Sequence, residues 1–373
     1  MARPLQRHID FLDPVRGIAI LLVFLYHVLG MAFGGDQLPW GPWFRDFTGS
    51  RSFFALLPVT FGWAGVVIFF VVSGFCIHLS FSRRADWMVF FQRRFFRIYP
   101  PYLVVLLFFA LAYPITRLHF TSWEDGFQLF SHLTLIYNTN AQWVFGINPS
   151  FWSIAVEVQL YVLYPVLCLL ASRFGWRRAL LGIATLEIGL RLAYGVMDTL
   201  HGTGLPRWVT DSPFYFWFSW ALGAWLAELY LQGKTWLVPR LLFYALVVMP
   251  FACWFLKPLA SLSFPLFAML TAAVMSRLLE KTPRQLPLPG ILVNHLQRVG
   301  LWSFSLYLVH QPLILGIPCI VEKVTSDAYV HPLVMFLLGV ASWFVIVPLA
   351  RLLYQFLELP SIALGKQFYL RNP

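Results

Sequence analysis

Long apolar runs separated by short basic or polar breaks recur along this chain, beginning with VRGIAILLVFLYHV at Val15–Val28. Runs of about 20 apolar residues can cross a bilayer as helices, whereas a membrane barrel would alternate apolar and polar positions. The pattern predicts spans at 14–34, 59–80, 99–116, 151–171, 177–197, 213–231, 236–256, 259–278, 299–320 and 332–356. The expected fold is therefore all-α, a polytopic transmembrane helical bundle of about ten spans. No internal repeat, low-complexity tail or soluble module interrupts the pattern, so a single integral-membrane domain over 1–373 is expected, with no C-terminal soluble domain. The polar connection at 117–150 is long enough to carry a short surface helix or to cover a site.

Composition strengthens this reading. Apolar residues make up 59% of the chain and charged residues only 12%, too few to cover a soluble protein of 373 residues. The net charge of +11 would suit a nucleic-acid partner, but its distribution points to a bilayer. With the N-terminus inside, 20 Lys and Arg fall in cytoplasmic segments and 6 in external ones, with Arg191 intramembrane. The positive-inside rule then places both termini in the cytoplasm. The partner implied is a lipid bilayer, with no nucleic acid. The first apolar run is long and carries Arg16 and His27, so its removal as a signal peptide is not expected. Cys76, Cys168, Cys253 and Cys319 all fall in apolar runs, without a CxxC pair, and are expected as small buried hydrophobes.

Ionisable groups inside the spans carry the candidate chemistry. Arg16 and His27 are eleven residues apart, about three turns and 20°, so they share one helical face with Asp13 and lie about 16 Å apart along the axis. Glu157 in SFWSIAVEVQLYVLYPV and His310 in SFSLYLVHQPL fall near the depth of His27. Such groups normally face a partner or a wet cavity, so they predict either a polar site within the membrane or separate packing contacts. Arg93, Arg94 and Arg97 lie in SRRADWMVFFQRRFFRIYPPY, with Arg94 and Arg97 one helical turn apart. Their planar forks suit phosphate, and headgroup contact or topology alone would also explain them. Glu187 and Arg191 are spaced i, i+4 and are expected to form a structural ion pair. His119, His132, His201 and His331 lack metal-ligand spacing, and no metal site is expected. Ser73 in VVSGF lacks the G-x-S-x-G elbow of a serine nucleophile.

Five of these segments, in order over residues 11–312, resemble the acyltransferase-3 family of integral membrane O-acyltransferases. LDPVRGIAILLVFLYH resembles its first helix with the Arg-x10-His spacing, and GWAGVVIFFVVSGF its second. RRFFRIYPPYL resembles its RxxR signature, FWSIAVEVQLYVLYP its glutamate helix, and SFSLYLVHQPL a late histidine helix. The resemblance is to stand-alone members, which act without an SGNH domain. One departure is Val67, where the family usually has an acid.

The resemblance implies transfer of an acyl group, commonly acetyl, from cytoplasmic acyl-CoA to an acceptor hydroxyl. That acceptor would be a glycan, a lipid-linked saccharide or a small hydroxylated compound outside a bacterial inner membrane. No tightly bound cofactor is expected, with acyl-CoA a co-substrate. His27 is expected as general base with Glu157 as its partner, while Arg16, Arg93, Arg94 and Arg97 hold donor phosphates. Asp13, Ser73, Ser303, Tyr307 and His310 are expected to line the channel. Two other readings stand at this point. A transporter or flippase also needs polar residues in a basic-inside bundle, and a scaffold or receptor would explain the spans alone.

Overall fold

The structure, a computed structural model, describes residues 9–35, 38, 56, 58–280, 286, 288–325 and 330–371. Sixteen α-helices are found among them: α1 (Leu12–Phe33), α2 (Ala64–Arg83), α3 (Trp87–Leu111), α4 (Trp123–Leu133), α5 (Trp152–Phe174) and α6 (Trp176–His201). They continue as α7 (Arg207–Thr210), α8 (Trp217–Leu231), α9 (Arg240–Trp254), α10 (Ser263–Glu280) and α11 (Gly290–Leu301). The last five are α12 (Ser303–Leu315), α13 (Ile317–Thr325), α14 (Pro332–Ala341), α15 (Trp343–Leu353) and α16 (Leu359–Arg371). No strand occurs among the described residues. The chain is an all-helical integral membrane protein.

Eight helical segments among the described residues are long and apolar enough to cross a membrane. The regions expected as spans 213–231 and 236–256 contain α8 and α9, each of 15 residues. A 15-residue helix rises only about 22 Å, short of a hydrocarbon core of about 30 Å. The third span also differs. Its helix begins at Trp87 rather than near 99, because the Asp86 carboxylate accepts from the Val89 amide at 3.1 Å and caps it there. Arg93, Arg94 and Arg97 are thus part of α3 itself. The connection at 117–150 does carry a surface helix, α4, and Tyr99 and Tyr102 donate to the carbonyls of Leu133 and His132 at its end, each at 2.9 Å.

Helix α1 stands at the centre, packed against α2, α11, α12 and α14, while α2 in turn packs on α8 and α10. Small residues allow these close approaches, as in other membrane bundles. A Cβ on Gly300 would come 1.8 Å from the Asp13 carbonyl oxygen, and one on Gly223 would come 1.9 Å from that of Val71. These tight seams leave α1, α2, α5 and α12 facing a polar interior. The cysteines depart from expectation: Cys76, Cys168 and Cys253 are half-buried and Cys319 is exposed. The outer surface of a membrane bundle is itself apolar, so an apolar run does not imply burial in protein.

Candidate active site

Three cavities follow one another through the bundle. A basic vestibule of about 230 Å³ is lined by Asp13, Arg16, Cys76, Arg83, Arg94 and Arg97, among others. It shares Arg16, Cys76, Arg94 and Arg97 with a narrow channel of about 110 Å³, whose walls include Ser73, Ser153, Glu157, Tyr161, Ser303 and Tyr307. That channel shares Val66 and Tyr307 with a far cavity of about 500 Å³, where His27, Trp63, Trp152, Tyr194 and Gln311 stand among the lining residues. Arg16, Arg94 and Arg97 therefore lie at one end of the series of cavities and His27 at the other, where Arg207 also lines the wall.

At the basic end, Arg16 donates to the Asp13 carboxylate at 2.8 Å and to the Cys76 sulfur at 3.1 Å. One turn of α1 thus presents a guanidinium that is already aimed by its own helix. In the channel, one Glu157 oxygen accepts from Ser73 at 2.6 Å and from Tyr161 at 2.5 Å. Tyr161 lies one turn beyond Glu157 on α5, and Trp220 of α8 donates to the same Ser73 hydroxyl at 3.3 Å. Its hydrogen bonds come from hydroxyls, while Arg16 and Arg94 in the same channel attract it electrostatically.

At the far end, His27 Nδ1 lies 3.0 Å from His310 Nε2, with ring centroids 5.0 Å apart. His310 Nδ1 lies 2.9 Å from the Tyr307 carbonyl, which can only accept, so His310 donates there. A neutral His310 then has a bare Nε2 that can only accept, and His27 Nδ1 must carry the proton between them. A neutral His27 is left with its lone pair on Nε2, the form a general base requires. Ser150 supports the same corner. It donates to Gln311 Oε1, and its hydroxyl oxygen is 3.5 Å from His310 Nε2. Its amide is capped by Asn148 at 3.0 Å, and Asn148 donates to the Leu308 carbonyl at 2.8 Å, tying the start of α5 to α12.

The acyltransferase-3 family model, an acyltransferase domain, matches residues 9–355. The chain belongs to the acyltransferase-3 family. Among its relatives is acyltransferase MdmB of Streptomyces mycarofaciens, 27% identical over 318 residues, which cover 80% of this chain and 77% of MdmB. O-acetyltransferase OatA of Staphylococcus aureus is 26% identical over 210 residues, covering 52% of this chain and 30% of OatA. Regulator of hypoxia-inducible factor 1 of Caenorhabditis elegans is 28% identical over 210 residues, covering 52% of this chain and 41% of that protein. No solved structure matches. This acyltransferase-3 protein is an enzyme of the acyltransferase class, with relatives that are O-acetyltransferases.

Of the residues singled out in the acyltransferase-3 sequence, Arg16, Arg94 and Arg97 meet where vestibule and channel join, and Asp13 stands beside them in the vestibule. Arg93 lines none of the three cavities. Ser73, Ser303 and Tyr307 line the channel, as does Glu157. Glu157 does not share a cavity with His27, whose ring is held by His310. His310 lines none of these three cavities: it is fully buried behind His27. Val67 is likewise fully buried and apart from all three.

The sequence reading passed over Ser150, Ser153 and Gln311, and the Cys76 contact with Arg16. Ser153 and Ser150 did carry a signal. They precede Glu157 by four and seven residues and so continue its face along the turns leading into α5.

Proposed function

We propose that this enzyme moves an acyl group, acetyl by default, from cytoplasmic acyl-CoA to a hydroxyl of a glycan or glycan-like acceptor outside the membrane. The observation that supports this most is the series of cavities with arginines at one end and a lone-pair-bearing histidine at the other. An anionic CoA cannot cross the bilayer, so its phosphates stay at the arginine end and its slender arm enters the channel. Arg16, Arg94 and Arg97 bind the phosphates as planar, permanently charged forks, with Arg93 beside them on α3. The arm carries amide N–H groups, and Glu157 in the channel offers it a carboxylate acceptor. The thioester arrives near the junction with the far cavity.

There His27 Nε2 takes the proton of the acceptor hydroxyl as the oxygen attacks the thioester carbon. His310 stabilises the imidazolium that results, because its bare Nε2 accepts from His27 Nδ1. The tetrahedral adduct collapses, the C–S bond breaks, and the departing thiolate takes the proton from His27. The far cavity is lined by aromatic rings and a few polar groups, a surface that suits the faces of sugar rings. The proposed setting is a bacterial cytoplasmic membrane with the basic face inside, in keeping with the bacterial O-acetyltransferase among the relatives.

The same row of cavities would also serve a transporter, so the first experiment separates the two. Purified protein in proteoliposomes receives acetyl-labelled acetyl-CoA and an envelope extract from a strain deleted for this gene. Covalent label in an acceptor, restored in cells by the wild-type chain and seen as one acetyl mass on a glycan, supports the enzyme reading. Movement of the extract's saccharides across the bilayer with no covalent label would overturn it.

A further inference from the structure

Among the described residues, only Val66 and Tyr307 line both the channel and the far cavity. Whatever enters from the arginine end meets whatever enters from the far end at these two side chains, and only one of them is polar. The Tyr307 hydroxyl lies 2.6 Å from Ser153 Oγ, and Ser153 Oγ is 3.5 Å from the Ser150 carbonyl. Either hydroxyl can donate in the 2.6 Å contact, and when Ser153 donates to the phenol oxygen the phenol proton is free to point into the junction. The Tyr307 ring is fixed as well. It lies 5.4 Å from the His310 ring and meets Phe69 edge-on at 6.1 Å. The Tyr307 carbonyl is the group that sets the tautomer of His310.

We propose that the Tyr307 hydroxyl, held by Ser153, is the hydrogen-bond donor for the oxyanion formed on the thioester carbonyl. The assignment rests on the acyl-transfer reading and adds a residue to it. Attack by the acceptor oxygen pushes the carbonyl π pair onto oxygen, and that charge needs a donor in place before it forms. Arg16 is engaged by Asp13 and Cys76 at the other end of the channel, and Arg207 of the far cavity is paired with Asp211. His27 is occupied with the acceptor's proton and Glu157 has no proton to give as a carboxylate. A phenol suits the position because it donates strongly while neutral, and so avoids the cost of a charge among Val66, Phe69 and Phe70. With Ser153 donating to the phenol oxygen, the phenol proton faces the carbonyl oxygen before attack and stays on Tyr307 throughout. No atom is gained or lost by Tyr307.

The test is Tyr307→Phe, which removes one oxygen and leaves the ring. Initial rates are measured in proteoliposomes over a range of acetyl-CoA, with deletion-strain envelope extract as acceptor, and again with fluoroacetyl-CoA. The expected result is a fall in kcat of about 10²-fold or more for acetyl, with KM for acetyl-CoA within about twofold. The fall should be clearly smaller for fluoroacetyl, whose electron-poor carbonyl stabilises its own oxyanion. An unchanged kcat, a rise in KM alone, or equal losses for both donors would overturn the proposal, since a merely structural ring would treat the donors alike. If Tyr307→Phe fails to fold, Ser153→Ala leaves the tyrosine intact and carries the same donor-dependent expectation at smaller size. Wild-type protein that transfers no label would overturn the acyl-transfer reading itself. A Tyr307→Phe protein that keeps full rate while His27→Ala loses it would overturn only this assignment.

Discussion

Two polar constellations lie deep in this bundle, and they are built in opposite ways. Around Glu187 and Arg191, both fully buried, every direction is filled. Arg191 donates to Glu187 at 3.1 Å, to the Ser261 carbonyl at 3.0 Å and to the Tyr215 carbonyl at 2.6 Å. Glu187 also accepts from the Ser219 hydroxyl at 2.7 Å and its amide at 3.1 Å, while Tyr215 and Phe264 cover the guanidinium. Around His27 the bonds are few and directional, and one side of the ring meets a cavity of about 500 Å³. The lesson is that depth alone does not mark a functional group in a membrane. A sealed charge joins helices, here α6, α8 and the turn before α10; a charge-capable group left open toward a cavity can do chemistry.

The comparison is broken most directly at His27. His27→Ala is expected to lower acyl transfer by about 10²- to 10⁴-fold with normal accumulation in the membrane, measured as label incorporated per folded protein. Arg191→Leu should do the reverse. Leaving Glu187 buried and unpaired is expected to cost about 3–5 kcal/mol of stability, read as loss of monodisperse protein on heating in detergent, with little change in rate per surviving molecule. Replacing both partners together with Met and Gln should cost less than Arg191→Leu alone. If Arg191→Leu instead halts transfer in well-folded protein, the sealed pair has a role that its geometry does not reveal.

His310 sharpens the contrast from inside the open site. His310→Phe removes the acceptor for His27 Nδ1–H, and transfer is expected to fall about 10²-fold, since a histidine base in the wrong tautomer can lose as much as about 10⁴. His310→Gln restores an acceptor oxygen and should recover part of that loss at unchanged KM. Equal damage from both variants would mean that His310 only fills space.

The smallest effect belongs to Asp211, in the connection beside the far cavity. Burial pushes its carboxyl up to about 7 against the opposing charge of Arg207, from an ordinary value of 3.8. The folded value lies above the unfolded one, so the stability supplied by the neutral acid is complete below pH 3.8 and is lost as pH rises to about 7. Asp211→Asn, neutral throughout, is expected to flatten the decline in thermal stability across that window. A wild-type profile equal to that of the variant would contradict the burial argument.

Much of this was legible before any coordinates. The Arg16–His27 spacing set both their common face and their separation, because one helix is a rigid ruler. The Glu187–Arg191 pair followed from i, i+4 geometry for the same reason. What resisted reading were bonds between helices distant in sequence. His310 reaches His27 across 283 positions, and Ser153 reaches Tyr307 across 154. Helix rise alone suggested a similar level for Glu157 and His27, but it carries no information on azimuth, and the structure puts Glu157 in the channel with Arg16 and His27 in the far cavity. Glu157 turned toward Ser73 and Tyr161, and a buried histidine took the place beside His27.

By itself, then, the sequence determined that the chain is a helical membrane protein, which helices carry ionisable groups, and which of those groups share a face of one helix. Those properties depend on local hydrophobicity and on the fixed rise and turn of an α-helix. Only the tertiary structure decided which of those groups share a cavity and which are sealed from it. It also decided that two of the apolar stretches form helices of 15 residues, and that one tyrosine stands where two cavities meet. The rotation of each helix about its own axis is chosen by packing, by glycine seams such as Gly300 on Asp13, and by bonds that exist only once the bundle has closed.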